Sequence, residues 1–253
     1  MTSALALSLA LALLIAAGMI SPPFVRDFRA GTLPVLVYHC IGTPPNKPDR
    51  GKSLDYLYVA PEDFAWQIAW LKKAGYRFLT PAEALTWQKG EKAALITFDD
   101  GYEDNYSQAY PILRQYGGVA TVFVVAGDIG HHGRLTAAQL KEMADSGLWT
   151  VGCHGYRHQD LTSYSASELR EDLRLGQQTL ADITGQSIEA VAYPFGAYDE
   201  RVTAAATDFF ECGFIADPQR DGRIGPERMT IPREGVWYDR WAFRRLLRKY
   251  FPN

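Results

Sequence analysis

The run Thr97-Phe98-Asp99-Asp100-Gly101-Tyr102 sets two adjacent carboxylates at the end of an apolar stretch. Two such charges are costly there unless something positive binds them, and a metal ion would supply that charge. Neighbouring residues on an extended backbone point different ways, so one carboxylate can face an ion and the other a substrate water. The plainer alternative is a pair of solvated turn acids before a glycine. Further on, His154-Gly155-Tyr156-Arg157-His158 sets two imidazoles at positions i and i+4. On a helical turn that spacing puts both rings on one side, within reach of a single ion. Alone, two ordinary histidines explain it better. Taken together, the two segments offer two nitrogens and a carboxylate, a set that leaves coordination positions open as a catalytic site requires. Nitrogen donors favour one divalent transition metal, zinc, cobalt or nickel, over magnesium or calcium.

Something must carry these residues to one place. Short runs rich in Val, Ile, Phe and Tyr predict strands at 33–38, 77–79, 93–98, 119–125, 148–153, 188–193, 212–216 and 229–231. Helical punctuation lies between them. Over 61–74, Pro61 leads, Glu62 and Asp63 fill the first turn, Lys72 and Lys73 the last, and Gly75 follows. Ser165 and Glu168 form a capping-box pattern for a second long helix that Gly185 closes. Further helices are expected over 104–116, 136–146, 199–209 and 239–251. The alternation predicts an α/β fold, a distorted parallel (β/α) barrel of about seven to eight strands, with a doubly wound open sheet as the alternative. In such a barrel the residues just past the strand ends share one face. His39, Asp99, Asp100, His154, Phe195 and Arg233 all hold such positions. The irregular stretch 42–53, with Pro44, Pro45 and Pro48, is expected to overhang the barrel mouth.

The chain has 253 residues, 47% of them hydrophobic, which suits one large domain. A net charge of -3 excludes the basic footprint of a nucleic-acid binder. Arg244, Arg245, Arg248 and Lys249 read as the solvated face of a terminal helix, with a membrane-surface contact as the alternative. Residues 4–20 are almost purely Ala, Leu, Ile and Gly, a stretch of about the length that spans a bilayer, roughly 17 to 25 residues. Residues 1–21 are therefore expected to be a signal-anchor or signal peptide, with an uncleaved anchor favoured, 22–32 a tether and 33–253 the globular domain that carries these motifs. Cys40, Cys153 and Cys212 are too few for a disulfide framework and read as buried neighbours of other residues.

The residues resemble the polysaccharide deacetylases of carbohydrate esterase family four, which share the chitooligosaccharide deacetylase homology domain. The resemblance rests on Leu36-Val37-Tyr38-His39, Pro61-Glu62-Asp63-Phe64 through Lys73-Ala74-Gly75-Tyr76, the segment 97–102, His154 with His158, and Tyr193-Pro194-Phe195-Gly196. The early Tyr-His is most similar to the bacterial poly-N-acetylglucosamine deacetylase branch, whose motif order is circularly permuted. The resemblance implies metal-dependent removal of N-acetyl groups from an amino-sugar polymer, on the extracytoplasmic side of a membrane. It implies that Asp99 is the general base, that Asp100, His154 and His158 bind the metal, and that His39 is the general acid. The backbone N–H of Phe195 would help to hold the oxyanion.

Two departures stand out. Many family members carry an arginine two residues before the proline of the third motif, where this chain has Ala192, so Arg233 from another strand end is the candidate to orient Asp99. The late Leu-x-His is also missing, since no histidine follows His158. Tyr102, Tyr156, Tyr198 and Trp237 are candidates to stack on sugar rings, with simple packing as the alternative. Two other functions remain open at this point: a membrane-tethered glycan-binding protein with a degenerate deacetylase fold, and a hydrolase of another acyl amide.

Overall fold

The computed structural model describes residues 33–43, 57–88, 90–216, 227–236, 240–248 and 250. The expected membrane segment 1–21, the tether 22–32, most of the stretch 42–53 and Trp237 lie outside the described residues. Among the described residues, no helix is long and apolar enough to cross a membrane.

In chain order the elements are β1 (Val35–Tyr38), β2 (Cys40–Ile41), β3 (Tyr58–Val59), α1 (Pro61–Lys73), β4 (Arg77–Leu79), α2 (Pro81–Leu85) and β5 (Ala93–Phe98). There follow α3 (Tyr110–Tyr116), β6 (Ala120–Val124), α4 (Ala137–Asp145), β7 (Trp149–Cys153), α5 (Ala166–Thr184), β8 (Ala190–Ala192) and α6 (Glu200–Ala206). The last are β9 (Cys212–Ile215), β10 (Ile231–Pro232), β11 (Glu234–Gly235) and α7 (Arg240–Leu247). The main sheet runs β10-β9-β8-β7-β6-β5-β1-β11, with β4 also on β5. Its pairings are all parallel.

The two ends of that path, β10 and β11, are separated in the chain by Arg233 alone. One short extended segment therefore bonds β9 before Arg233 and β1 after it, and the sheet curls into a nearly closed, distorted barrel. This agrees with the fold expected from the strand–helix alternation.

Strand alternation sorts the core into two layers. Leu36, Tyr38, Ile96, Phe98, Val122, Val124, Val151 and Val191 pack outward under the helices. Val35, Leu95, Phe123, Ala190, Ala192 and Phe214 fill the barrel interior. Gly152 yields space there, since a Cβ would meet the Phe123 ring at 2.5 Å. The helices follow their sequence signals. Helix α1 has Pro61 in its first turn and buries Phe64, Ile68 and Leu71. A complete Ser165/Glu168 capping box opens α5, and Gly185, at φ 72°, ends it; a cap of this kind stabilises a helix by about 1 kcal/mol.

Several elements differ from expectation. The helix expected over 104–116 starts as a π turn, Asn105–Ala109, because Pro111 has no N–H to continue an α-helical ladder. Helix α2 is an extra element, opened by a capping box of Thr80 and Glu83. The parallel pair β2–β3 joins segments too short to show an alternating pattern.

Candidate metal and catalytic site

Alternation continues past the strand ends and decides which side chains meet. On β1 the interior series Val35, Val37 leads to His39; on β5, Ala93, Leu95, Thr97 leads to Asp99; on β7, Gly152 leads to His154. Arg233 continues the side of Ile231, which packs on the interior cluster. Four side chains from four places in the chain thus arrive at one end of the barrel interior.

Asp99 and Arg233 form the base of this layer. The Nη1 and Nη2 atoms of Arg233 donate to Oδ1 and Oδ2 of Asp99 at 2.6 and 2.7 Å. Arg233 is 1% exposed, lies over the Phe123 ring at 5.4 Å and donates from Nε to the Ile215 carbonyl. Its Nη1 also reaches Thr97 Oγ1 at 3.3 Å, while that hydroxyl donates to the Leu36 carbonyl. Burial by itself pushes the Asp99 carboxyl up, but Arg233, with His154 and His39, outweighs it and holds the group below its ordinary value. Asp99 therefore stays ionised, with lone pairs beyond the two that Arg233 engages. The interior neighbour Ala192 is small.

Asp100 turns off the same strand end. It adopts the left-handed region at φ 72°, and Gly101 follows at φ 67° with Val124 so near that a Cβ would meet it at 3.0 Å. The turn sends the Asp100 carboxylate to the two imidazoles: Oδ1 lies 3.4 Å from His154 Nε2 and 3.2 Å from His158 Nε2. Arg134 donates to the Asp100 carbonyl at 3.1 Å and covers the Tyr102 ring at 4.3 Å. Burial works against the Asp100 carboxylate, yet its bonds to His154 and His158 prevail and depress its pKa. Burial opposes the charged form of His154 as well, but Asp99 and Asp100 prevail and raise its pKa.

A divalent cation fits this donor set. The offered atoms of Asp100, His154 and His158 all lie within 4.8 Å of one another. Ligands about 2.1 Å from a tetrahedral ion stand about 3.4 Å apart, close to the two distances found. His154 Nδ1 lies 2.7 Å from the Ala192 carbonyl, which can only accept, so Nδ1 carries the proton and Nε2 presents its lone pair. The loop that bears the histidines is not the helical turn that their spacing suggests. Gly155 at φ 74° and His158 at φ 52° bend it instead, and the rings still converge, with centroids 5.1 Å apart.

His39 stands beside this group. Asn105 donates to its carbonyl at 2.8 Å, and burial lowers its pKa despite the opposing pull of Asp99 and Asp100. Phe195, at φ 59°, leaves its ring 61% exposed with the His158 ring 4.7 Å away. Tyr156 is half-buried, and Tyr198 stacks on Tyr193 at 6.0 Å. Asn105, Arg134 and the Ala192 carbonyl are contacts that the sequence reading missed; only the acid–amide pair Asp104-Asn105 so near a site motif hinted at one. The three cysteines are free and buried, and burial pushes each thiol up to about 12.

Known proteins share this arrangement of chain. The sequence model for polysaccharide deacetylase matches residues 87–209. A Bacillus subtilis (strain 168) protein named for polysaccharide deacetylase activity is 34% identical over 77% of this chain and 68% of its own. The chain belongs to the polysaccharide deacetylase family. It is thus a hydrolase of the carbohydrate esterase type that the motifs implied. The poly-beta-1,6-N-acetyl-D-glucosamine N-deacetylase of Staphylococcus aureus (strain MRSA252) is 31% identical over 59% of this chain, which spans 57% of that protein. The solved Streptococcus pyogenes deacetylase in complex with acetate superposes with a TM-score of 0.76 at 26% identity, covering 87% of this chain and 98% of that one.

Proposed function

We propose that this polysaccharide deacetylase removes N-acetyl groups from N-acetylglucosamine residues of a surface glycan and requires one divalent transition metal. The observation that carries the reading is the convergence of Asp100, His154 and His158 beside an Asp99 that Arg233 orients. A bound cation would polarise the acetamide carbonyl and acidify water. Asp99 takes the proton of the attacking water, and Arg233 keeps that carboxylate ionised and aimed. The backbone N–H of Phe195 helps to hold the developing oxyanion. His39, which must be in its protonated form for this step although burial favours the neutral ring, delivers its proton to the departing amine nitrogen. The exposed Phe195 ring and the half-buried Tyr156 offer apolar surface for a sugar face. One face of Tyr102 is already covered by Arg134, which favours a supporting role for it.

The relative that acts on poly-beta-1,6-N-acetyl-D-glucosamine supports that polymer as substrate. Residues 1–21 would tether the domain, residues 33–253, on the extracytoplasmic side, where such a polymer is found. The glycan-binding alternative drew its support from the missing arginine at Ala192, and Arg233 on Asp99 supplies that charge from another strand.

The test is acetate release by the purified chain from β-1,6- and β-1,4-linked N-acetylglucosamine oligomers and from peptidoglycan, with zinc, cobalt or nickel added. Release from the β-1,6 oligomers, abolished in Asp99→Asn, is expected. No release from any glycan, or undiminished release by the variant, overturns the reading.

A further inference from the structure

We propose that Asp172 is a positioning residue for the metal-ligand loop, holding from helix α5 the backbone that carries His154 and His158 to Asp100. The inference rests on the metal reading above. Asp172 is fully buried, on the same helix face as Leu169, Leu173 and Leu180. A carboxylate there is costly unless it is bonded, and its bonds go to the loop. Oδ1 accepts the Tyr156 N–H at 2.7 Å, and Oδ2 accepts the Arg157 N–H at 3.2 Å and Arg157 Nη1 at 3.3 Å.

The loop needs such a partner. Past His154, whose N–H still bonds the Val124 carbonyl at 2.9 Å, residues 155–158 form neither helix nor strand, so their N–H groups have no regular ladder to satisfy them. Their path is also strained, with His158 itself at φ 52°. Helix α5 lies directly against the turn: a Cβ on Gly176 would meet Cys153 Sγ at 2.7 Å and the Gly155 carbonyl carbon at 3.2 Å. A Cβ on Gly155 would meet Asp172 Oδ1 at 3.0 Å. Two glycines thus admit the helix to the loop, and Asp172, one turn before Gly176, grips the two N–H groups between the ligands. The sequence signal was a carboxylate on an otherwise apolar helix face.

The experiment measures cobalt(II) affinity and the cobalt visible spectrum in the purified full chain and in Asp172→Asn, Asp172→Ala and Leu180→Ala. Asn keeps an acceptor for Tyr156 but turns a donor toward Arg157. Affinity should fall on the order of tenfold in Asp172→Asn and further in Asp172→Ala, with an altered spectrum. Leu180→Ala loosens the same helix away from the loop, so it should lower Tm while leaving affinity and spectrum unchanged. If Asp172→Ala does not fold, Asp172→Asn decides. Wild-type affinity in Asp172→Asn, or an equal loss in Leu180→Ala, overturns the inference while the metal reading stands. A wild-type chain that takes up no cobalt overturns both.

Discussion

Arg233 bonds both carboxylate oxygens of Asp99, at 2.6 and 2.7 Å, from the single residue that separates the two strands closing the barrel. Removing the guanidinium leaves a buried charge unpaired, which costs about 3–5 kcal/mol. Arg233→Met should lose stability of that size, and far less when made in an Asp99→Asn background, as a double-mutant cycle by chemical denaturation would show. Arg233→Lys should restore part of the stability but not the bidentate grip. In active variants the acid limb of kcat/KM should move to higher pH, because Arg233 is what holds the Asp99 pKa down against burial. Additive effects would sever the link.

Metal removal offers a second check. Dialysis against a chelator should abolish acetate release, and zinc or cobalt should restore it. A cation bound only by the folded chain raises stability by about 2.7 kcal/mol at a hundredfold excess over Kd, so added metal should raise Tm. Asp100→Asn and His154→Ala should lose both responses. An unchanged Tm response in Asp100→Asn would mean that the ion binds elsewhere.

His39 separates catalysis from metal binding. His39→Ala should keep the metal-induced rise in Tm while kcat falls on the order of 10²–10⁴-fold. An acetyl ester whose leaving group needs no proton should be spared most of that loss. Equal losses on amide and ester would argue against a proton donor.

Asp104, which accepts from the same Asn105 amide that bonds the His39 carbonyl, provides a pH test at a group outside the Asp100, His154 and His158 cluster. Burial raises its carboxyl to about 6, although the Ile41 N–H and the Asn105 amide work the other way. A folded pKa above the unfolded value means that the folded chain binds the proton more tightly. The group's contribution is therefore favourable below about pH 4 and is lost as pH rises through 6. Asp104→Asn should gain on the wild type by about 2 kcal/mol between pH 4 and 7. A difference that does not change with pH would contradict this.

The signals that were legible in the sequence are local ones. Pro61 and the acids beside it, the Ser165/Glu168 box and Gly185 marked the ends of α1 and α5, because caps act within one turn. The apolar run of β5 and the positions of His39, Asp99 and His154 just past strand ends pointed to one shared face, since alternation is a property of each strand alone. Legible too was the grouping of Asp100, His154 and His158 as residues that could share an ion. The tertiary structure decided how those residues meet. Arg233 reaches Asp99 across 134 positions of sequence, and nothing short of barrel closure brings them together. The bent path of residues 154–158 and the Ala192 carbonyl that sets the His154 tautomer depend on neighbours from β8 and α5. Spacing alone suggested a helical turn there, but packing against separate elements selects the backbone of this loop.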